Sequence, residues 1–301
     1  MTDLASLLDR FDNIQLGKSG VARQQPAAHK PLLVLLALGE LRRGNEAVAF
    51  HDLDDRLKAL LKAYGPWTPN PRPEYPFWRL QNDGLWKVRA DGPPILPNDQ
   101  GDARRRDLVE KHARGGFEDD VLQVLMADSR SVGVVARRLL DKHFPDSLHQ
   151  GILEDVGLSH VAGAVTAERR KRDPEFRQKV LMAYEKRCCV CGYDLRLGDR
   201  PAGLEAAHIK WHTHGGPDDV PNGLSLCVLH HKAFDLGAFT VRDDGSTIAC
   251  SQHLSGSTNV DWLVGFHGKS LRKPQSSEYL PRKSYLEWHR DTIFRTPERE
   301  L

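Results

Sequence analysis

Residues 188–235 read CCVCGYDLRLGDRPAGLEAAHIKWHTHGGPDDVPNGLSLCVLHHKAFD, and this stretch decides the fold of the C-terminal half. Structural zinc sites are tetrahedral, and short pairs of Cys and His residues, far apart in the chain, supply their ligands. Cys189 could replace Cys188 as a ligand, but only Cys188 keeps the two-residue spacing. The spacing therefore predicts one closed structural zinc site with the ligands Cys188, Cys191, Cys227 and His230.

Three further polar residues, His208, Asn222 and His231, lie inside this stretch and are left over for chemistry. Together with the zinc pairs, the runs YEKRCCVCG, LEAAHIKW and NGLSLCVLHHKAFD resemble the motif of HNH nucleases in its zinc-stapled ββα-metal form. The resemblance covers roughly residues 173–241 and is specific, because many residues must occur in order at compatible spacings. It implies an enzyme that hydrolyses phosphodiester bonds.

The resemblance also implies a role for each of these residues. His208 would end a strand and act as the general base, since a neutral imidazole can accept a proton near pH 7. His231 would open a helix and bind a catalytic Mg²⁺ or Mn²⁺, which neutralises charge on the scissile phosphate. Asn222 would orient the base or help to hold the metal. His212 and His214 are rival bases, but they lie in the glycine-rich run HTHGGPDD.

The sequence departs from the HNH pattern at one position. Many HNH enzymes carry Asp or His directly before the base, whereas this chain has Ala207. A second side-chain ligand for the catalytic ion must come from elsewhere. Asp235, one turn after His231, is the first candidate, and Glu205 and Asn222 stay open as alternatives.

Two motifs in the N-terminal half, AAHKPLLVLLALGEL at 27–41 and EYPFWRLQNDGLWKV at 74–88, point to a second function. They resemble the sulfur-binding domain of phosphorothioation-dependent HNH restriction endonucleases. Sulfur is larger and less strongly hydrated than the oxygen that it replaces, so an apolar cavity can accept it without leaving a polar group unsatisfied. The resemblance implies a cavity at His29, Tyr75 and Pro76.

The same resemblance implies contacts with the surrounding DNA. Lys30 would hold the remaining charge of the modified phosphate, and Arg23 and Gln24 would reach phosphates or base edges. Arg79 would add a backbone contact. From the residues alone, two other interpretations stay open: residues 75–78 are an aromatic wedge in the core, and His29 caps a helix.

Local patterns predict the elements around these motifs. Residues 31–43 and 50–63 are predicted as helices, and Asn82-Asp83-Gly84 is predicted as the turn of a hairpin. Gly115-Gly116 is predicted to separate two helices, and residues 173–187 are predicted to form the helix before the zinc pairs. The resulting class is α+β multidomain, with a mainly helical N-terminal recognition domain that includes a β-hairpin and a C-terminal ββα-metal domain.

Length and composition bound these predictions. The 301 residues suffice for two or three domains, expected as a recognition domain at 1–162, a basic linker at 163–172 and a nuclease domain at 173–301. A formal net charge of only +2 means that local patches must bind DNA. Five cysteines, four of them at 188–227, suggest a reducing compartment with a metal site. With no apolar run of membrane-spanning length, the expected location is the cytoplasm.

The combined expectation is a modification-dependent, type IV-like restriction endonuclease that binds phosphorothioated double-stranded DNA and cuts nearby. Cutting of both strands is consistent with a homodimer. One alternative is an HNH endonuclease that reads 5-methylcytosine or another modified base, which needs a deeper aromatic pocket. The other is a zinc-stabilised DNA-binding regulator without catalysis.

Overall fold

The chain folds into two compact units, Met1–Glu168 and Arg169–Leu301. The computed structural model describes residues 3–19, 25–128, 130–159, 174–257 and 260–300. Both units combine helices with small antiparallel sheets, so the predicted α+β multidomain class is confirmed. The predicted basic linker at 163–172 lies outside the described residues, and the exact domain boundaries stay predictions.

The N-terminal unit is mainly helical. The described elements are α1 (Leu4–Asp12), β1 (Gly17–Ser19), β2 (Gln25–Ala27), α2 (His29–Arg42), β3 (Ala47–Ala49), α3 (Phe50–Tyr64), α4 (Glu74–Arg79), β4 (Trp86–Arg89), α5 (Arg105–Glu110), β5 (Arg114–Phe117), α6 (Asp119–Ala127), α7 (Ser131–His143) and α8 (Asp146–Asp155). Strands β1 and β2 pair with each other, and β3, β5 and β4 form an antiparallel sheet with β5 in the middle.

Helix α2 forms the centre of the N-terminal core. All its side chains from Leu32 to Leu38 are buried, because the helix packs against α3, α4 and α7. The helix begins two residues before the predicted start, so that Pro31 lies in its first turn, where a missing N–H costs nothing. Among the described residues, no helix combines the length and the apolar character that a bilayer span needs.

The hairpin predicted around residues 82–84 is wrong. The apolar run before it forms α4 and a 3-10 turn at Leu80–Asp83, and Gly84 ends this turn at φ 67°. Pro76 lacks the N–H that a strand would need, and a glycine with positive φ can end a helix as readily as it can turn a hairpin. Strand β4 therefore pairs with the distant β5 instead of with its neighbour in sequence.

Gly115 and Gly116 lie in the central strand β5, so the prediction that they separate two helices is also wrong. A Cβ atom at Gly115 would come within 2.3 Å of the Trp86 ring, and one at Gly116 within 2.6 Å of the Glu46 carbonyl oxygen. The glycines are there because neighbouring groups approach the backbone closely. This cause is invisible in the local sequence.

The C-terminal unit is built on a hairpin between two helices. The described elements are α9 (Pro174–Ala183), β6 (Arg196–Leu197), β7 (Arg200–Pro201), β8 (Leu204–His208), β9 (Gly223–Cys227), α10 (Val228–Asp235), β10 (Phe239–Val241), β11 (Ile248–Cys250), α11 (Asp261–Val264) and α12 (Lys283–Thr292). Strand β8 pairs antiparallel with β9, α9 packs on both strands, and α10 follows β9 directly.

The last helix, α12, completes this core through a buried histidine. The ring of His289 stacks on Phe234 with a centroid separation of 3.7 Å. Its two nitrogens lie 2.9 Å from the Thr240 hydroxyl and 3.1 Å from the Phe234 carbonyl oxygen. Burial lowers the pKa of His289 to about 4, so the ring is neutral at pH 7.

Candidate functional site

Four potential metal ligands lie together in the C-terminal unit, two from the segment after α9, one from the end of β9 and one from α10. One ligand atom from each of Cys188, Cys191, Cys227 and His230 lies within 4.8 Å of all the others. The Nδ1 atom of His230 is 3.1 Å from the Cys227 sulfur and 3.7 Å from the Cys188 sulfur. With Zn–S and Zn–N bonds of about 2.3 and 2.0 Å, a tetrahedral site has S···N edges of roughly 3.6 Å. The donor set therefore fits a zinc ion.

The surroundings of this cluster fix its ligand atoms. The Nε2 atom of His230 lies 3.0 Å from the Trp262 carbonyl oxygen, so it carries the proton and leaves Nδ1 free to face the sulfurs. Cys189, the rival of Cys188, lies outside the cluster and is completely buried. Burial raises the pKa of the Cys189 thiol, as expected for a packed side chain.

His208 is the last residue of β8 and is held on two sides. Its ring stacks on Phe176 of α9, with centroids 4.2 Å apart and planes at 16°. Its Nε2 atom lies 2.7 Å from an oxygen of Asp218, and a carboxylate at this distance accepts the Nε2 proton. Nδ1 is then the unprotonated nitrogen, which a general base requires.

Asp218 is a site residue that sequence reasoning missed. It belongs to the run HTHGGPDD, in which only His212 and His214 were considered as candidate bases. An acidic residue in a loop after the base histidine is a weak signal, because the loop has to fold back before the two side chains meet. His212 and His214, the rival bases, lie on a 3-10 helix in this loop, and the His214 ring packs near Trp211 and Trp288.

Asn222 secures the loop between His208 and β9. Its Oδ1 atom accepts a hydrogen bond from the Lys210 N–H at 2.9 Å. Its Nδ2 atom donates to the carbonyl oxygens of Lys210 and Pro217 at 3.0 and 2.9 Å. The side chain is fully buried. Both ends of the amide bind backbone groups, so Asn222 fixes the segment that follows His208. Its expected role, to orient the base or to help hold the metal, stays a prediction.

His231 lies between two carboxylates in the first turns of α10. Its Nδ1 atom is 2.6 Å from a Glu205 oxygen, and its Nε2 atom is 3.1 Å from an Asp235 oxygen. Burial alone would lower the pKa of His231, but the two carboxylates outweigh it and raise the pKa to about 9. The second Asp235 oxygen accepts a hydrogen bond from Trp211 Nε1 at 3.1 Å.

The alternation of side chains along β8 separates these groups. Residues 205 and 207 point to one face of the strand and residue 208 to the other. His208 is opposite Gly223 in the β8–β9 register, and a Cβ at Gly223 would meet Val180 and Phe176 of α9. Glu205 instead reaches His231 of α10. The predicted base thus packs on α9, whereas the predicted metal ligand meets β8 through Glu205.

In the N-terminal unit, Tyr75 is flanked by two guanidinium groups. The Arg79 and Arg72 guanidinium carbons lie 4.6 and 5.0 Å from the centroid of its ring. Arg79 is fixed by two hydrogen bonds of 2.5 Å to the buried Asp102, and its side chain stays 43% exposed. The half-buried ring of Tyr75 thus lies beside two guanidinium groups that are each paired with a carboxylate, Arg79 with Asp102 and Arg72 with Glu74. The DNA contacts predicted for Tyr75 and Arg79 stay predictions.

His29 and Lys30, two further predicted contact residues, lie in the first turn of α2. Burial lowers the pKa of His29 to about 4, which leaves a neutral ring at pH 7. The Lys30 ammonium forms an ion pair with Asp83 at 2.5 Å, with side chains 10% and 3% exposed. The predicted phosphate contact of Lys30 therefore competes with a buried carboxylate. This ion pair also ties α2 to the 3-10 turn after α4.

Of the remaining predicted contact residues, the structure describes Pro76. Pro76 is buried in the first turn of α4. Arg23 and Gln24 lie outside the described residues, so their predicted contacts with DNA stay predictions.

Comparisons with known proteins identify a family for each half. A family model described as "ScoMcrA-like, DNA sulfur-binding domain" matches residues 4–161, which is more than half of the chain, and one described as "HNH endonuclease" matches residues 188–242. No curated protein gives a significant match.

Several solved structures are similar to parts of the chain. The sulfur binding domain of SprMcrA complexed with phosphorothioated DNA is 28% identical, with 53% of this chain and 97% of that chain covered and a TM-score of 0.44. The corresponding domain of ScoMcrA is 23% identical, with 51% and 96% covered and a TM-score of 0.44. The modification-dependent TagI restriction endonuclease is 26% identical, with 43% and 41% covered and a TM-score of 0.32.

Proposed function

Because the chain belongs to the family of ScoMcrA-like DNA sulfur-binding domains and also carries an HNH endonuclease domain, we propose that it is a phosphorothioation-dependent restriction endonuclease. The N-terminal unit binds double-stranded DNA that contains a phosphorothioate. The C-terminal unit then hydrolyses phosphodiester bonds nearby. The observation that carries this proposal is the presence of both domains on one chain.

Recognition of the modification depends on the corner formed by α2 and α4. The rings of His29 and Tyr75 are uncharged, and sulfur can contact their carbon atoms without a large desolvation cost. A normal phosphate oxygen would lose water there and gain no hydrogen bond in return. Arg79 keeps an exposed guanidinium beside Tyr75 for the charge of the DNA backbone.

Hydrolysis depends on the end of the β8–β9 hairpin. His208 takes a proton from the attacking water at Nδ1, while Asp218 keeps the other nitrogen protonated and fixes the ring. When bound, a divalent cation such as Mg²⁺ or Mn²⁺ neutralises the charge that develops on the phosphate, and His231 would be one of the residues that hold it. The zinc ligands fix the start of α10, which carries His231.

Selective cutting of modified DNA tests the whole proposal. The wild-type protein and Mn²⁺ are incubated with three matched plasmids that are unmodified, methylated at cytosine or phosphorothioated. We expect cutting of the phosphorothioated plasmid only. Preferential cutting of the methylated plasmid would establish the base-reading alternative, and no cutting with any divalent ion would favour the non-catalytic regulator.

A single substitution tests the proposed base. His208→Ala should abolish cutting and leave binding to phosphorothioated duplexes unchanged, because the two activities lie in different units. His51→Ala is the matched control, since the His51 side chain is 80% exposed in the N-terminal unit. If His208→Ala nicks DNA as fast as the control, His208 is not the base.

A further inference from the structure

The HNH-like strand β8 lacks a metal ligand at the position where one is expected. Ala207, directly before His208, offers no ligand atom and is completely buried. Mg²⁺ and Mn²⁺ prefer oxygen ligands, especially carboxylates, so His231 alone would hold either ion weakly. A carboxylate has to reach the same place from another position.

Two carboxylates contact His231, and their environments differ. The Glu205 side chain is 40% exposed and lies at Nδ1 of the ring. The Asp235 side chain is 1% exposed, lies at Nε2 and also accepts the Trp211 N–H. The Glu205 side chain is therefore partly accessible from solvent, whereas the Asp235 side chain is enclosed by protein.

We propose that Glu205 is the carboxylate ligand of the catalytic cation, and that Asp235 is a positioning residue that holds His231 for it. The inference rests on the proposed nuclease function, since it concerns the cation of that same site.

The direction of side chains along β8 supports this assignment. Residues two apart in a strand share a face, so Glu205 points to the same side as the missing ligand at 207. Positions 205 and 207 lie roughly 7 Å apart along the strand. A glutamate side chain is long enough to span much of this distance toward His231. The contact of 2.6 Å between Glu205 and Nδ1 shows that the carboxylate reaches the ring nitrogen that a cation would use.

The contacts of Asp235 support its different role. Histidines that bind metals commonly donate their other N–H to a carboxylate, which fixes the tautomer and turns the free nitrogen toward the metal. Asp235 has this relation to His231, and Trp211 in turn holds Asp235. These two contacts also explain why Asp235, one helical turn after His231, is buried rather than exposed.

The test measures binding of Mn²⁺ to the zinc-loaded full chain, with the free ion followed by electron paramagnetic resonance. Glu205→Gln, Asp235→Asn and Glu287→Gln are compared with the wild type. Glu287 is the matched control, because its side chain is 46% exposed in the same unit and forms an ion pair at 3.8 Å with Lys283 on its own helix. Zinc content and nicking of phosphorothioated plasmid are measured on the same samples.

We expect Glu205→Gln to weaken Mn²⁺ binding roughly tenfold or more and to slow nicking, with zinc content unchanged. Asp235→Asn should weaken binding less, and Glu287→Gln should match the wild type. Wild-type affinity in Glu205→Gln, a larger loss in Asp235→Asn, or absence of Mn²⁺ binding by the wild type would each overturn the assignment.

These outcomes separate the ligand assignment from the proposed function. If the wild type binds Mn²⁺ but never cuts phosphorothioated DNA, and Glu205→Gln still loses the ion, the function is wrong and the ligand assignment stands. If the wild type cuts selectively while Glu205→Gln binds Mn²⁺ normally, only the ligand assignment is wrong.

Discussion

Replacement of Asn222 by alanine should loosen the loop that leads from His208 to β9. The substitution removes three hydrogen bonds of 2.9–3.0 Å and leaves the N–H and C=O of Lys210 and the C=O of Pro217 without these partners. Each such bond contributes about 1 kcal/mol net, and a buried group left unsatisfied costs about 1–3 kcal/mol. The local free energy of opening should therefore fall by about 3–5 kcal/mol.

Hydrogen–deuterium exchange measures this loss directly. A decrease of about 3–5 kcal/mol corresponds to exchange at Lys210 that is roughly a hundredfold to several thousandfold faster, wherever local opening controls the rate. The peptide 209–218 reports it, and cutting should slow because Asp218, at the end of this loop, orients His208. Asn13→Ala is the control, since Asn13 is an exposed residue at the end of α1.

A second variant separates the orienting role of Asn222 from that of a metal ligand. Asn222→Asp keeps the acceptor for the Lys210 N–H but turns a carboxylate oxygen toward two carbonyl oxygens. If Asn222 orients the loop and does not bind the metal, both variants should show faster loop exchange, slower cutting and unchanged Mn²⁺ affinity. The reasoning is refuted if exchange in 209–218 stays at the wild-type rate, or if Asn222→Ala abolishes Mn²⁺ binding while Asn222→Asp restores it.

Three further predictions concern zinc, pH and packing. Cys191→Ala should remove about one zinc ion per chain, measured by mass spectrometry of the metal, whereas Cys250→Ala, a buried cysteine outside the cluster, should retain it. The folded pKa of His289, about 4, lies below its ordinary value of 6.5, so the unfolded chain takes up a proton first as the pH falls. The contribution of the neutral His289 ring to the free energy of unfolding should be fully present above pH 6.5 and fall by up to about 3 kcal/mol as the pH falls to 4. Urea unfolding of His289→Gln should therefore show a smaller loss of stability over the same pH range. Gly115→Ala should lower the melting temperature measured by calorimetry, because its Cβ would approach the Trp86 ring to 2.3 Å and overpacking costs about 1–3 kcal/mol.

Each of these predictions has a contradicting outcome. Full zinc content in Cys191→Ala would remove that residue from the site. An equal pH dependence in wild type and His289→Gln would show that another group accounts for the decline. An unchanged melting temperature in Gly115→Ala would mean that Trp86 can move aside at little cost.

Predictions from local pattern succeeded where a short segment alone supplies the physical cause. The proline at its start and the length of the apolar run after Pro31 favour a buried helix, and α2 confirms it. The two-residue spacing of Cys188 and Cys191 brings their sulfurs together through one tight turn, in which Gly192 adopts φ 77°. Predictions failed at Gly84 and Gly115, because a glycine permits several conformations and distant neighbours select one of them.

The amino-acid sequence by itself determined the family of each half, the α+β class and the residues of the metal cluster, since these depend on residue types at fixed spacings along the chain. Only the tertiary structure decided which groups act on one another: Asp218 on His208, Glu205 and Asp235 on His231, and Asp83 on Lys30. Most of these partners lie ten or more residues apart in sequence, and strand pairing and loop folding bring them together. Spacing selects the chemical groups, but the facing of strands and helices determines their contacts.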